Sequence, residues 1–268
     1  MPGLAILNYK GGVGKSTLAR ELAASLARRQ QRSLAVDMDP QANLSRRLGF
    51  QSSLADPLPT LAGAIKNDVT GGAADILTPC SWNDPLAQYI DLLPSSFDLE
   101  NRISEAGTVG AVVRLRNIMT GLGGHHWRIY DCAPSLGHLT HMALVAAGAE
   151  EECGVLLVTE PEQDGLEGCI KAYEFMEGYA AVLGVPHLRV LGIVINRVRR
   201  TELHQENITK LVDRYGSLVW EPHVPLWTTL ADAHNSAVPL HTMPGPKADE
   251  LVTKFETITD RVIKEMAA

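Results

Sequence analysis

The sequence predicts an α/β fold: a mostly parallel twisted sheet with helices on both faces. Three observations lead there. Short apolar runs alternate with segments of helical periodicity along most of the 268 residues, which is how strands buried between two helical layers read. A glycine-rich loop separates the first apolar run from the first helical pattern. Carboxylates stand directly after two further apolar runs, and in open sheets of this class ligands gather at the carboxyl ends of strands.

Taken in order, residues 4–7 form the first strand, the loop follows, and 18–28 the first helix. Residues 33–36 make a second buried strand that Pro40 cannot extend, and 42–48 a short helix. Residues 50–85 are rich in Pro, Gly, Asp and Ser and read as irregular, with a helical patch at 60–66. A strand at 90–93 precedes helical patterning over 99–103 and 109–122, which Gly123-Gly124 ends. Strands at 127–130, 154–158 and 190–195 alternate with helices at 138–147, 166–183 and 202–215. A weak edge strand at 218–219 and helices at 230–234 and 247–266 finish the chain. No internal repeat or low-complexity linker interrupts this order, and 1–268 is expected to be one domain.

Bulk properties narrow the function. Net charge is −7, so any contact with nucleic acid has to come from a local basic patch. The four cysteines show no C-x-x-C spacing, which argues against a disulfide scaffold, a zinc ribbon or a paired-thiol redox site. No apolar run approaches the roughly 20 residues that span a bilayer. The chain enters a strand at once, with no signal peptide, and residues 261–268 are a weakly amphipathic, aromatic-poor tail that makes a poor membrane anchor. The expectation is a cytoplasmic protein.

The loop carries the chemistry. Residues 8–17 read Asn-Tyr-Lys-Gly-Gly-Val-Gly-Lys-Ser-Thr. Strand, glycine loop, Lys-Ser and helix is the phosphate-binding arrangement of P-loop NTPases. Gly11, Gly12 and Gly14 let backbone N–H groups turn toward an anion, and the helix N-terminus adds partial positive charge. Lys15 reaches the outer phosphates and Ser16 ligates Mg²⁺. Tyr9 stands where the generic motif has its first glycine, and Lys10 adds a second lysine at the loop mouth.

That string, KGGVGKST, resembles the deviant Walker A motif of the ParA/MinD family of ATPases. Two more segments match the family. Asp131 opens DCAPSLG, similar to the Walker B pattern D-x-P-P-S-L-G with Ala133 at one proline position, and residues 37–41 read D-M-D-P-Q against D-x-D-P-Q. LLPSSFDLE at 92–100 and VPLWTTLADA at 224–233 look like the family's L-I-P-S and I-P-R-N-V segments, the second matching better in spacing than in residues. The short chain resembles Soj-like or plasmid type Ib members.

The resemblance implies ATP and Mg²⁺ as cofactors and a role for each matching residue. Gly11, Gly12, Val13, Gly14 and Lys15 cradle phosphates, Ser16 binds Mg²⁺, and Thr17 touches the α-phosphate. Asp131 holds the metal, Asp37 stands near it, and Asp39 orients the attacking water. Lys10 crosses the interface of an ATP-dependent homodimer to the partner's phosphates. Asn196 and Arg197 resemble a pair that reads adenine, with a plain turn as the other reading, and Pro225 packs on the base. Arg197, Arg199, Arg200, Lys210 and Arg214 form a basic cluster suited to non-specific DNA, or else a solvated helical face. Thr229 falls where Soj-like members place a second DNA-binding arginine.

His138 and His141 are three apart on one helical pattern but lack a completing ligand, and read as surface or capping residues. Trp220 and Trp227 read as core or interface residues. The function implied is a partition ATPase, nucleoid-associated, whose hydrolysis a cargo-bound ParB-like partner stimulates. The alternatives are the same ATPase positioning a protein cargo such as a carboxysome or chemosensory cluster, a MinD-like membrane-associated regulator, and a metabolic P-loop enzyme.

Overall fold

The structure is a computed structural model and describes residues 1–53 and 57–268. Residues 54–56, inside the stretch expected to be irregular, lie outside the described residues. The elements run β1 (Pro2–Leu7), α1 (Lys15–Arg28), β2 (Ser33–Asp37), α2 (Asn43–Arg47), α3 (Leu61–Asn67), β3 (Thr78–Pro79), β4 (Ile90–Leu93) and α4 (Arg114–Ile118). They continue with β5 (Trp127–Asp131), α5 (His138–Ala147), β6 (Glu152–Thr159), α6 (Gln163–Tyr179), β7 (Arg189–Ile195), α7 (Glu202–Tyr215), β8 (Val219–Trp220), α8 (Thr228–Asn235) and α9 (Pro246–Met266).

One eight-stranded sheet has the order β3-β4-β2-β5-β1-β6-β7-β8. Every pairing is parallel except β3 with β4. The central strands are apolar on both faces because both faces are covered. Alternation then sorts the side chains: Ala5 and Leu7 join the core under α3 to α7, while Leu4 and Ile6 join the core under α1, α8 and α9. The last helix is part of that second core, with Phe255, Val262 and Met266 buried, so the expected weak tail is the packed end of α9. Among the described residues no helix is long and apolar enough to cross a membrane.

Two expectations need correction. The helix expected over 109–122 is shorter: a 3-10 turn at Ala111–Val113 leads into α4, and 99–103 lies in a 3-10 run over Phe97–Gly107. Gly110 at φ 79° and Gly121 at φ 77° trim the two ends of the stretch, and Val113 at φ −96°, ψ −4° marks the join between the 3-10 turn and α4. The expected long helix at 166–183 begins a turn earlier and ends at Tyr179. The edge strand β3 was missed: it is two residues long and contains Pro79, too short for a periodic signal.

The switch point falls at β1, whose chain leaves toward α1 with β5 on one side and β6 on the other. The carboxyl ends of β1, β2, β5 and β7 therefore open onto one edge of the sheet, where open α/β folds bind ligands.

Candidate nucleotide-binding site

β1 hands the chain to a buried Asn8, whose Nδ2 donates to Val158 O at 2.7 Å and whose Oδ1 accepts from Lys10 N at 2.7 Å. The start of the loop is thus pinned to β6. Gly12 and Gly14 adopt φ 83° and 108°, conformations that favour glycine. At Gly14 a Cβ would also lie 1.9 Å from Asn196 Nδ2. That amide donates to Val13 O at 2.9 Å, so the end of β7 braces the loop from below. Lys15 lies along the loop and donates to Asn8 O at 3.2 Å and Lys10 O at 3.1 Å. Burial lowers its pKa, against the pull of Asp131 and Asp39.

Parallel register places Asp37 opposite Asp131 and Asp131 opposite Ile6. Asp131 is fully buried, and neither carboxylate oxygen has a hydrogen-bond partner. Burial first, then Asp37, pushes its carboxyl up to about 8, while the Ser16 hydroxyl and Lys15 ammonium pull it back. A buried carboxylate with unmet lone pairs beside a serine hydroxyl at a helix N-terminus is a donor set for a hard divalent cation. Mg²⁺ fits it.

Asp37 is differently employed. It accepts from Ser45 N at 2.8 Å, Ser45 Oγ at 2.7 Å and Asp39 N at 3.2 Å, and burial raises its pKa to about 6. Its oxygens tie α2 to the end of β2 and back Asp131. Asp39 stands at the cleft, its Oδ1 accepting from Gln41 N at 2.9 Å. Ser95, in the segment at 92–96, donates to Asp39 O at 2.7 Å and so fixes that turn.

The loop glycines, Lys15, Ser16 and Asp39 line a cleft of about 290 Å³ that also includes Asn196, Arg197 and Pro225, while Asp37 and Asp131 lie buried outside its lining. Arg197, at φ 58°, donates to Gly12 O at 3.2 Å and pairs with Glu160 at 3.1 Å. It reaches the phosphate loop and lines the cleft, which Arg199, Arg200, Lys210 and Arg214 do not. Trp227, expected in the core or an interface, packs against the core under α1, α8 and α9 and also lines the cleft, with Leu226 and His234. Trp220 is buried, packed over Gly192. Sequence reasoning also missed Arg47, which lines the cleft from α2. No motif marks it; its only signal was the basic pair Arg46-Arg47, five and six residues past the end of the D-x-D-P-Q segment at Gln41.

Lys10 does not line the cleft. Its ammonium, 43% exposed, pairs with Asp164 at 2.8 Å in the first turn of α6. The basic cluster splits further. Arg199 lies 3.5 Å from Glu162, Lys210 donates to Asn207 at 3.1 Å, and Arg214 pairs with Glu174 at 3.1 Å. Arg200 is exposed and makes no ion pair among the described residues. His138 is buried at the start of α5, not at the surface, and His141 is half-buried, stacked on Phe175. Among the described residues no group of three His, Cys, Asp or Glu could hold a metal ion.

A family model described as the CobQ/CobB/MinD/ParA nucleotide binding domain matches residues 4–240. The chain is 31% identical over 268 residues to the chromosome-partitioning ATPase Soj of Thermus thermophilus, covering 97% of this chain and 96% of that one. It is 30% identical over 251 residues to the chromosome partitioning protein ParA of Caulobacter vibrioides, covering 88% and 85%. Among solved structures it resembles in fold the ATP complex of a substituted McdA from Cyanothece, with a TM-score of 0.82 at 22% identity, over 98% of this chain and 96% of that one.

Proposed function

The chain belongs to the CobQ/CobB/MinD/ParA nucleotide-binding family, and from that membership we propose that it is a partition-type ATPase working as an ATP-dependent dimer on DNA. ATP and Mg²⁺ are its cofactors. Mg²⁺, when bound at Ser16 and Asp131, supplies positive charge to the phosphates.

The residues divide the work. The loop amides of Gly11 to Gly14 and the N-terminus of α1 bind phosphate oxygens. Lys15 exchanges its loop carbonyls for the outer phosphates. Asp39, held by Gln41 N and by Ser95 at its own carbonyl, orients the water that attacks. Asn196, braced against Val13, presents an Oδ1 that has no hydrogen-bond partner; with Pro225 it forms the base-binding side.

The observation that carries the dimer is the placement of Lys10. A lysine in the phosphate loop whose ammonium points away from its own cleft into an exposed ion pair is placed to serve the cleft of a second copy. There it neutralises charge on the transferred phosphoryl, as an arginine finger does. Dimer formation then depends on ATP, and hydrolysis loosens it. Arg199, Arg200 and Lys210 supply the DNA face, the cargo being a plasmid or chromosomal element coupled through a ParB-like adaptor at the nucleoid.

The test is a gel shift with non-specific duplex DNA in ATP, ADP or no nucleotide, run beside size-exclusion chromatography. DNA binding and a dimer peak that both require ATP are expected. Equal binding in all three states would remove the dimer switch.

A further inference from the structure

α2 is a single short helix held unusually firmly for its length. Ser45 anchors it to Asp37 through both its N–H and its hydroxyl, and the Arg47 carbonyl accepts from Trp82 Nε1 at 2.9 Å. The backbone of Arg47 is therefore fixed at both sides. Its side chain runs into the nucleotide cleft, and Nη1 donates to Thr17 Oγ1 at 3.2 Å. Its neighbour Arg46 turns outward to Gln41 O and Asn43.

Arg47 is a half-buried guanidinium that makes no ion pair among the described residues. The largest attractive charge acting on it is that of Asp131, yet neither Asp131 oxygen accepts a hydrogen bond from it. It is not there to neutralise the metal-binding carboxylate. A guanidinium has five N–H donors in a planar fork suited to carboxylate or phosphate oxygens. One of them is used, on the threonine hydroxyl that closes the phosphate loop. Holding such a group partly out of water without a counter-ion is costly unless an anion arrives.

We propose that Arg47 is a nucleotide-binding residue whose guanidinium takes an oxygen of the inner, α-phosphate beside Thr17. This rests on the nucleotide site described above but not on the dimer or on DNA. An inner-phosphate contact is made equally by ATP and ADP, so Arg47 holds nucleotide through the hydrolytic step rather than sensing it. That separates it from Lys10, whose interaction is with the phosphoryl that leaves.

Titration calorimetry of the full chain with Mg·ADP and with a non-hydrolysable Mg·ATP analogue tests this. Arg47→Met keeps the apolar stem and removes the charge. It should weaken both ligands alike, by roughly ten- to a hundredfold, the range of a charge-assisted hydrogen bond. Arg47→Lys keeps the charge without the fork and should fall between the two. Circular dichroism melting reports whether each variant is folded, and Arg47→Lys carries the test if Arg47→Met is not. ADP binding within twofold of wild type in the folded variants, or a loss confined to the ATP analogue, overturns the assignment. Failure of the wild-type chain to bind Mg·ADP would instead overturn the nucleotide site itself.

Discussion

Lys10 Nζ lies 2.8 Å from Asp164 Oδ2, joining the mouth of the phosphate loop to the first turn of α6. The hydrogen bond and charge of Asp164 raise the Lys10 pKa, and Lys10 lowers that of Asp164. Both groups face solvent, so the pair contributes little to stability. Its effect is on orientation: it keeps the ammonium out of its own cleft. Lys10→Ala should therefore fold, bind Mg·ATP with affinity close to wild type, and lose hydrolysis to background. Single-turnover and steady-state ATPase assays measure this, and normal turnover by a monomeric Lys10→Ala protein would exclude the role.

Lys15→Ala should fail differently. Lys15 holds the loop through Asn8 O and Lys10 O and supplies the buried cation that outer phosphates need. Its removal should lower ATP affinity by at least about a hundredfold, more than the loss of one charge-assisted hydrogen bond. Equilibrium binding of a fluorescent ATP analogue reads it directly; affinity near wild type would remove Lys15 from the site.

The split of the basic cluster gives a three-way comparison. Arg200 is exposed and makes no ion pair among the described residues, Arg214 is held by Glu174 and lies over the Tyr215 ring, and Arg197 grips Gly12 and Glu160. Arg200→Ala should weaken ATP-dependent DNA binding several-fold and reduce the slope of log affinity against log salt by about one. Arg214→Ala should change it little. Arg197→Ala should alter nucleotide binding first. Gel shifts over a salt series, with parallel nucleotide titrations, separate the three; equal loss of DNA affinity in all three would restore a single basic patch.

How much of this the sequence discloses depends on how far apart the interacting parts are. The loop, its strand and its helix are contiguous, and the two strand-end acids are marked by local pattern, so β1, α1, Asp39 and Asp131 were legible. Asp37 was legible as a residue but not in its use, because Ser45, which takes its oxygens, sits eight residues on in another element. Arg197 was grouped with Arg199 and Arg200 by adjacency. Its side chain instead reaches Gly12 O, the side on which the Asn196-Arg197 pair had also placed it, so of its two readings only the one at the nucleotide loop matches its contacts. Trp227 and His234 reach the cleft only because α8 folds back against the loop, a tertiary fact.

The fit of β7 against β8 is equally tertiary and can be probed alone. At Gly192 a Cβ would meet Trp220 indole atoms at 2.1 Å, and Trp220 is 1% exposed in the core. Gly192→Ala should destabilise by about 1–3 kcal/mol through overpacking. Urea unfolding followed by tryptophan fluorescence measures it. An unchanged midpoint would mean that the ring yields without cost.

The last prediction concerns pH and the wall of the cleft. His234 on α8 is 8% exposed at its side chain and stands 3.8 Å from Glu21. Arg20 pairs with Glu21 and donates to Val238 O. Burial pushes the His234 pKa down to about 4; Arg20 and Arg47 add to the shift, and the neighbouring Glu21 carboxylate opposes it. An unfolded histidine titrates near 6.5. Between those values the unfolded chain carries a proton that the folded chain refuses, so stability is full above about pH 6.5 and falls as pH is lowered toward 4. From pH 7 to pH 5 the loss from this one group is about 2 kcal/mol. His234→Gln removes the titration but keeps a polar side chain of similar reach. Its unfolding free energy in urea, without nucleotide, should therefore fall about 2 kcal/mol less than wild type over the same interval, other groups cancelling between the two proteins. Parallel pH profiles for variant and wild type would show that His234 accepts its proton in the folded state, through Glu21, as readily as in water.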